Sequence, residues 1–149
     1  MRDAAIVLLV LNEIDGLRSL WSQIPVQEFG EVFAVDGGSK DGSIEFLQER
    51  GIPVVSQPIR GRGVAFRVAA EASAAERLIF FSPDGNEDPA DIARLDDLLV
   101  QGADLAIARR FGPGALNEED GELLKLRARV NDLLSQIANR LFFDGPRIY

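Results

Sequence analysis

The sequence predicts an α/β fold in which helices cover both faces of a mostly parallel, twisted sheet. Short apolar runs alternate with helical patterns along most of the 149 residues, and the apolar runs are continuous rather than alternating. Continuous apolarity is typical of parallel strands that are buried on both faces. Because the helices return over such a sheet in right-handed crossovers, the carboxyl ends of the strands meet at one edge, where these folds bind their ligands.

Each predicted element rests on its own local pattern. Strands are predicted where residues form short apolar runs, at Ala4–Leu11, Glu31–Val35, Pro53–Ser56, Arg77–Phe81 and Asp104–Ala108. Helices are predicted where apolar residues recur at helical spacing, at Glu13–Ile24, Asp41–Arg50, Gly63–Ala75 and Asp91–Val100. Asn12 and the pair Asp88-Pro89 are typical of helix starts, and Gly51 and Gly102 are typical of helix ends.

The last part of the chain has a different pattern. Phe111–Gly121 is rich in Gly, Pro, Asn and acidic residues and is predicted to be a loop. Glu122–Phe143 is predicted to be one long helix with an apolar stripe and basic residues beside it. We expect this helix to pack on its own sheet or to join two copies into a homodimer, and contact with a membrane surface is the alternative. The predicted division is a core at 1–111 and a loop with a helix at 112–149.

Composition and charge exclude several classes of function. The formal net charge of −8 argues against a nucleic-acid partner, because phosphate backbones are bound by clustered Lys and Arg. The chain has no cysteine and no histidine, which excludes disulfides, thiolate or histidine zinc sites, and Ser-His-Asp or Cys-His catalysis. The apolar run at Ala4–Leu11 is too short to span a bilayer, and no signal-peptide pattern accompanies it. A cytoplasmic location is expected, with the membrane surface as a peripheral site of action.

Polar residues follow the predicted strands at the edge where a ligand is expected. Asp36 ends the second strand and can accept hydrogen bonds from a base or a ribose hydroxyl, and the glycines after it allow close approach of a ligand. Arg60 and Arg62 lie in a Gly/Arg loop before the third helix, and two guanidinium groups suit a diphosphate. Ordinary turn and cap chemistry at 37–42 and a solvated basic loop at 60–63 are the alternatives. No G-x-G-x-x-G loop follows the first strand, which argues against an NAD or FAD site.

The segment after the fourth predicted strand carries the candidate metal ligands. Asp84 and Asn86 have oxygen atoms suited to a hard divalent cation, Mg²⁺ or Mn²⁺, whereas Glu87 and Asp88 can instead cap the following helix. A purely structural turn is the alternative here. Arg109, at the end of the fifth predicted strand, can clamp a phosphate or form a surface ion pair.

Five segments, taken in order, match motifs of one family. They are Leu11-Asn12-Glu13 for L-N-E, Val35–Gly42 for V-D-[DG]-G-S-x-D-G, Gly61–Arg67 for G-[KR]-G-x-A-x-R, Ser82–Pro89 for D-A-D-x-Q-x-D-P, and Gly102–Phe111 for G-A-D-L-x-x-x-S-R-F. In this order and spacing the chain resembles family 2 glycosyltransferases of the GT-A fold, a Rossmann-like three-layer α/β/α arrangement. It resembles in particular the branch that transfers hexoses to polyprenyl phosphates, the dolichol-phosphate mannose synthase-like enzymes.

This resemblance implies a function and a set of site residues. It implies an inverting transferase that moves a hexose from a GDP- or UDP-sugar to an acceptor phosphate or hydroxyl, for instance a polyprenyl phosphate at the membrane surface, with the help of Mg²⁺ or Mn²⁺. Asp84 and Asn86 would hold the cation, and Asp84 and Arg109 are the residues assigned to catalysis. The residues that would bind the nucleotide and the donor sugar are Leu11, Asn12, Glu13, Asp36, Gly38, Ser39, Arg62, Gly63, Ser82, Pro83 and Asp84.

Two departures from the family pattern bear on activity. Ser82 stands where the family has the first aspartate of its D-x-D pair, so the affinity for the metal should fall. The chain stops at Tyr149 before the family's T-D-x-x-x-G-F-R segment, so the acceptor-side region is expected to be truncated. The alternative function is therefore a non-catalytic nucleotide-sugar-binding or interaction module with a degenerate D-x-D site. A sugar-phosphate nucleotidyltransferase is less favoured, because its Gly-rich loop after the first strand is absent.

Overall fold

The computed structural model describes residues 1–108, which form a four-stranded parallel sheet flanked by helices. The strands are arranged in the order β3-β2-β1-β4, with β1 at Arg2–Val10, β2 at Phe29–Asp36, β3 at Val54–Ser56 and β4 at Leu78–Phe81. The helices are α1 (Ile14–Leu20), α2 (Ser43–Gln48), α3 (Arg62–Ala72) and α4 (Ala90–Val100), and a 3₁₀ turn at Trp21–Gln23 follows α1. The predicted α/β class with a parallel sheet is confirmed.

β1 lies in the middle of the sheet because it is apolar on both faces. Residues 5–8 are fully buried. The register then aligns the strand ends, since Val10 of β1 pairs with Asp36 of β2, and Asp36 in turn pairs with Ser56 of β3. The polar residues that follow these strands therefore start from one edge of the sheet.

Two separate apolar layers hold the helices to the sheet. On one face, side chains of β1 pack with buried residues from three helices, among them Leu17 of α1, Leu47 of α2 and Ile92 of α4. On the other face, Ala5 and Val7 pack with Ala65 and Ala69 of α3. Within residues 1–108 the layers are thus α/β/α, and the small alanine side chains let α3 lie close to the strands.

A cluster of ion pairs ties α4 to the opposite, amino-terminal end of the sheet. Asp96 is only 1% exposed, and its two carboxylate oxygens accept hydrogen bonds from Arg2 at 2.9 Å and Arg77 at 2.8 Å. Burial alone would raise the pKa of Asp96, but the hydrogen bonds from Arg77 and Arg2 outweigh it and hold this pKa below its ordinary value. This cluster lies away from the expected ligand edge and is part of the scaffold.

The fifth predicted strand is wrong. Residues 104–108 form no strand, and Leu105 and Ile107 are 75% and 76% exposed. An apolar run becomes a strand only where a neighbouring strand supplies partners for its backbone groups, and within residues 1–108 none pairs with this segment. The first predicted helix is also shorter than expected, since α1 ends at Leu20 and the chain tightens into the 3₁₀ turn before Pro25.

Residues Met1–Ala108 form one unit of the chain. The predicted loop, the long helix, the boundary at 111 and Arg109 all lie outside the described residues. Within residues 1–108, no helix has the length and apolarity needed to cross a bilayer.

Candidate functional site

Hydrogen bonds join the loops that follow β1 and β2. The backbone N–H of Asn12 donates to the Ser39 hydroxyl at 2.9 Å, and the Asn12 side-chain oxygen accepts the N–H of Lys40 at 2.9 Å. Gly37 N–H also donates to the carbonyl of Val10 at 2.9 Å. Asn12 has a φ of 58°, a left-handed conformation that asparagine tolerates better than most residues. Asn12 and Ser39, both predicted to bind the donor, thus connect one loop to the other.

Asp41 and Ser43 hold the start of α1 against the second loop. The Asp41 carboxylate accepts hydrogen bonds from the N–H of Ile14 at 2.9 Å and from the Ser43 hydroxyl at 2.6 Å. The Ser43 oxygen accepts the N–H of Glu13 at 3.0 Å. Burial opposes ionisation of Asp41, but the hydrogen bonds from Ser43 and Ile14 together lower its pKa. The sequence offered Asp41 only as a helix start, and its role in placing Glu13 became visible from these contacts.

Asp36 is buried and caps its own turn. Its side chain is 2% exposed, and its carboxylate accepts the N–H of Gly38 at 2.7 Å and the N–H of Ser39 at 3.1 Å. Gly38 has a φ of 98°, which a residue with a side chain adopts only under strain. The turn-and-cap alternative therefore describes a large part of what Asp36 does, and its contact with a base stays a prediction.

A cavity of about 280 Å³ opens at the carboxyl edge of the sheet. Five of the residues predicted to bind the donor line it, namely Leu11, Glu13, Arg62, Ser82 and Asp84. The other lining residues are Leu9, Val10, Val35, Gly37, Gln57, Arg60, Gly61 and Ala65. Six predicted residues are not among the lining residues, namely Asn12, Asp36, Gly38, Ser39, Gly63 and Pro83, and Asn86 is not among them either.

One side of the cavity is basic. Arg62 is the first residue of α3 and lines the cavity together with Gly61 and Ala65, so the amino-terminal end of this helix, with its free backbone N–H groups, borders the cavity. Arg60 donates from Nε to the carbonyl of Gly37 at 3.2 Å, which links the β3–α3 loop to the turn after β2. Two guanidinium groups beside a helix start provide a site for an anion such as a diphosphate.

Gln57 is a lining residue that sequence reasoning missed. Its backbone N–H donates to the carbonyl of Asp36 at 3.0 Å, and its side-chain amide donates to the carbonyl of Ile59 at 2.8 Å. Because the amide nitrogen faces Ile59, the amide oxygen is left as a hydrogen-bond acceptor. The signal was available, since Gln57 directly follows β3 at the edge where Asp36 ends β2.

The other side of the cavity is acidic. Burial raises the pKa of Glu13, and the negative charges of Asp84 and Asp41 raise it further. Asp84 is exposed, and one of its carboxylate oxygens accepts the N–H of Asn86 at 2.9 Å. Glu13 and Asp84 are thus close enough to repel each other, and a cation or a proton between them would be stabilised.

The acidic side fits a cation that takes most of its ligands from elsewhere. Within residues 1–108, no group of three or more His, Cys, Asp or Glu side chains is placed to hold a metal ion. Asp84 can supply a carboxylate oxygen and Asn86 an amide oxygen. Mg²⁺ is commonly bound through one or two carboxylates, with substrate phosphates and water completing the octahedron. The donor set therefore fits Mg²⁺ or Mn²⁺ bound together with a diphosphate.

α1 packs directly on the backbone of the loop that follows β4, residues 82–87, which carries Asp84 and is called the acidic loop below. A Cβ atom placed on Gly16 would lie 1.7 Å from the carbonyl oxygen of Pro83, so only glycine allows this approach. Pro83 is itself fully buried and precedes Asp84 in the chain. No sequence pattern indicates this contact, because Gly16 and Pro83 are far apart in the chain and neither carries a polar side chain.

Known proteins resemble most of this chain. Glycosyltransferase AglJ of Haloferax volcanii is 31% identical over 145 residues, which cover 94% of this chain and 44% of that protein. The structure of glucosyl-3-phosphoglycerate synthase from Mycobacterium tuberculosis with Mn²⁺ and UDP-glucose is 27% identical, with a TM-score of 0.59, and the match covers 66% of this chain and 39% of that one. A further structure of that synthase, at 22% identity and a TM-score of 0.65, covers 94% of this chain and 52% of that one and shows the shared fold.

The chain spans about half or less of the length of these relatives, namely 44% of AglJ and 39% to 52% of the synthase. Another structure of the Mycobacterium tuberculosis synthase contains Mg²⁺ and UDP. The family model described as Glycosyl transferase family 2 matches residues 5–144, nearly the complete sequence. The chain therefore belongs to glycosyl transferase family 2.

Proposed function

We propose that this chain is the donor-binding part of an inverting transferase that moves a hexose from a GDP- or UDP-sugar to an acceptor with the help of Mg²⁺ or Mn²⁺. The observation that carries the proposal is one cavity at the carboxyl edge of the sheet with a basic and an acidic side. Arg60 and Arg62 lie on one side, and Glu13 and Asp84 lie on the other. A nucleotide diphosphate sugar has the matching chemistry, since its diphosphate is anionic and also binds divalent cations.

The basic side would hold and stabilise the leaving group. In the proposed reaction the bond between the sugar C1 and the diphosphate oxygen breaks while the acceptor oxygen bonds to C1 from the opposite face. Negative charge then grows on the diphosphate, where Arg62 and the N–H groups at the start of α3 would stabilise it. When bound, a divalent cation would supply further positive charge at the same leaving group. Asp84 and Asn86 would hold that cation.

The nucleotide would lie toward the turn after β2. Gly37 and Gln57 line that part of the cavity, and Asp36 directly precedes Gly37 and accepts the N–H of Gln57 on its carbonyl. The Oδ1 atom of Asp36 accepts one hydrogen bond from its own turn and can accept a second, whereas Oδ2 already accepts the N–H groups of Gly38 and Ser39. The N–H groups of guanine or uracil are suitable donors. Support for a nucleotide diphosphate also comes from the Mycobacterium tuberculosis synthase, whose structures contain UDP-glucose with Mn²⁺ and UDP with Mg²⁺.

The proposed acceptor is a polyprenyl phosphate at the membrane surface. The support is the resemblance of the ordered motifs to the polyprenyl-phosphate branch of the family. A phosphate oxygen is already ionised at neutral pH and needs little help from a general base. Turnover assays with polyprenyl phosphate test the acceptor. We also propose a homodimer through Glu122–Phe143, and sedimentation of the chain tests it separately.

Asp84→Ala tests the proposal most directly. Calorimetry with GDP and with UDP, in Mn²⁺ and in EDTA, should show nucleotide binding that Mn²⁺ strengthens. In Asp84→Ala that strengthening should fall by at least about tenfold, since even outer-sphere partners of a metal site are worth that much. Glu71→Ala is the matched control, because Glu71 is an exposed carboxylate on α3 with only a 4.0 Å ion pair to Arg67. Absence of nucleotide binding in the unaltered chain would contradict the proposal.

A non-catalytic nucleotide-sugar-binding module is the second candidate. Ser82 favours it, because this neutral residue, 5% exposed, lines the cavity at the first position of the D-x-D segment. Both candidates predict nucleotide binding, so donor-sugar hydrolysis and transfer decide between them. Tight binding with no turnover of either donor would favour the module, and metal-dependent turnover would exclude it.

A further inference from the structure

The backbone of Ser82 is held by a side chain from its own loop. Ser82 is the first residue after β4, whose last residue, Phe81, pairs with Leu8 of β1. The N–H of Ser82 donates to a carboxylate oxygen of Glu87 at 2.7 Å. A hydrogen bond to an ionised carboxylate is stronger than one between neutral groups. Glu87 therefore fixes the point at which the chain leaves the sheet.

This hydrogen bond closes a six-residue loop that contains Asp84. Gly85, with a φ of 83°, reverses the chain in the middle of the loop, and Asp84 accepts the N–H of Asn86 at 2.9 Å. Glu87 joins the far end of the loop to its first residue. Ser82 and Asp84 both line the cavity, so the bond from Ser82 to Glu87 lies in the loop that brings the Asp84 carboxylate to it.

We propose that Glu87 is a positioning residue for the Asp84 carboxylate, and through it for the metal-assisted binding of the donor nucleotide. This inference rests on the proposed function. Glu87 acts here as a hydrogen-bond acceptor for the Ser82 N–H, so glutamine, which keeps an acceptor oxygen but not the charge, should retain part of the effect. Removal of the acceptor should free the entry to the loop and let Asp84 leave its place at the cavity.

Three variants of the full chain separate this role from a general effect on stability. Glu87→Ala removes the acceptor, and Glu87→Gln keeps an oxygen that can accept the same hydrogen bond. Asp88→Ala is the matched control, because Asp88 accepts the N–H of Ala90 at 2.9 Å in the same segment but does not contact Ser82. All three are measured by calorimetry with GDP and UDP, in Mn²⁺ and in EDTA, and by urea unfolding.

We expect Glu87→Ala to weaken nucleotide binding in Mn²⁺ by about tenfold, the equivalent of one lost hydrogen bond to a charged group, and to leave binding in EDTA unchanged. Glu87→Gln and Asp88→Ala should stay within about threefold of the unaltered chain in both conditions, since each keeps the Ser82 hydrogen bond. A merely structural role would lower binding in Mn²⁺ and in EDTA alike, in step with stability. That result, or a Glu87→Gln variant as weak as Glu87→Ala, would overturn the proposal.

Amide hydrogen exchange at Ser82 provides a readout that needs no ligand. The Ser82 N–H should exchange slowly in the unaltered chain and in Glu87→Gln and much faster in Glu87→Ala, because exchange requires the hydrogen bond to open. Equal exchange rates in Glu87→Ala and the unaltered chain would overturn the inference even if nucleotide binding is normal. Failure of the proposed function is recognised differently, since the unaltered chain itself would then show no metal-dependent binding, and both ideas would fall.

Discussion

Replacing Gly16 with alanine should displace the acidic loop from the cavity. The new Cβ atom would lie 1.7 Å from the carbonyl oxygen of Pro83 and 2.9 Å from its carbonyl carbon, whereas real Cβ atoms stay beyond 3.0 Å. Helix α1 or the loop at Pro83 must therefore move by at least about 1.3 Å. The obstacle is backbone rather than the end of a flexible side chain, so no rotamer change relieves the clash.

The energetic cost follows from what surrounds the contact. Leu17, the next residue of α1, is fully buried in the core, and Pro83 is also fully buried, so neither side can move freely. Overpacking of this kind costs about 3 kcal/mol at the upper end of its usual range. Alanine returns about 1 kcal/mol through its better helix propensity. The free energy of unfolding should therefore fall by about 2 kcal/mol.

The effect on binding should exceed the effect on folding. Asp84 directly follows Pro83, and a displacement of about 1 Å at a functional group can cost about a hundredfold in activity. Urea unfolding gives the stability, and calorimetry with GDP and UDP in Mn²⁺ gives the affinity. Ser19→Ala is the control, because Ser19 is an exposed residue of the same helix whose hydroxyl donates to the carbonyl of Gly16. If Gly16→Ala matched the unaltered chain in both measurements, α1 and Pro83 would not be in contact and the reasoning would be refuted.

Acid should destabilise the chain partly through Asp96, because the pKa of this residue in the folded chain lies below the unfolded value of about 3.9. The contribution of Asp96 to stability is therefore complete above the unfolded pKa and is lost as the pH falls through the folded pKa. The measurement is urea unfolding between neutral and acidic pH. Asp96→Asn should lower the free energy of unfolding by about 3 kcal/mol at neutral pH and by less in acid, whereas Asp97→Asn, whose side chain is 55% exposed, should lower it by under about 1 kcal/mol throughout. Equal losses for the two variants would contradict the role assigned to Asp96. Ser82→Asp should strengthen Mn²⁺-dependent nucleotide binding by about tenfold in calorimetry, because it adds a charged ligand to a site with few. It should also lower stability, since position 82 is only 5% exposed, and unchanged affinity would show that residue 82 does not face the metal.

The fold could be predicted because its strongest signal is local. Residues 5–8 are apolar without interruption, and this pattern predicts that β1 is a buried, parallel strand. The complete burial of these four residues and the parallel pairing of β1 with β2 and β4 confirm it. The same rule failed at 104–108, where Leu105 and Ile107 are exposed. Apolarity predicts that a segment can be buried, but the presence of a neighbouring strand is a property of the whole chain, and no local pattern reports it.

The site could be predicted in part for a related reason. Arg62 and Asp84 were found because each lies in a charged loop after a strand, Glu13 was implied by the family's L-N-E motif, and all three line the cavity. Gly16 was missed because its importance lies in its contact with Pro83, and no sequence pattern shows that these two residues meet. A match to a motif also does not show what a residue does, since Asn12 matches the first motif but forms its hydrogen bonds with the adjacent loop.

The charge balance of the cavity explains why metal and nucleotide should depend on each other. The chain carries a formal net charge of −8, and the acidic side of the cavity repels anions, as the pKa of Glu13, raised by burial and by Asp84, indicates. Arg60 and Arg62 can balance the negative charge of a diphosphate from one side of the cavity only. A cation at Asp84 would remove the repulsion on the other side, and the diphosphate would complete the coordination that Asp84 and Asn86 leave unfilled. By linkage, each ligand then raises the affinity of the other by the same factor, so neither the acidic loop nor the basic loop forms the binding site by itself.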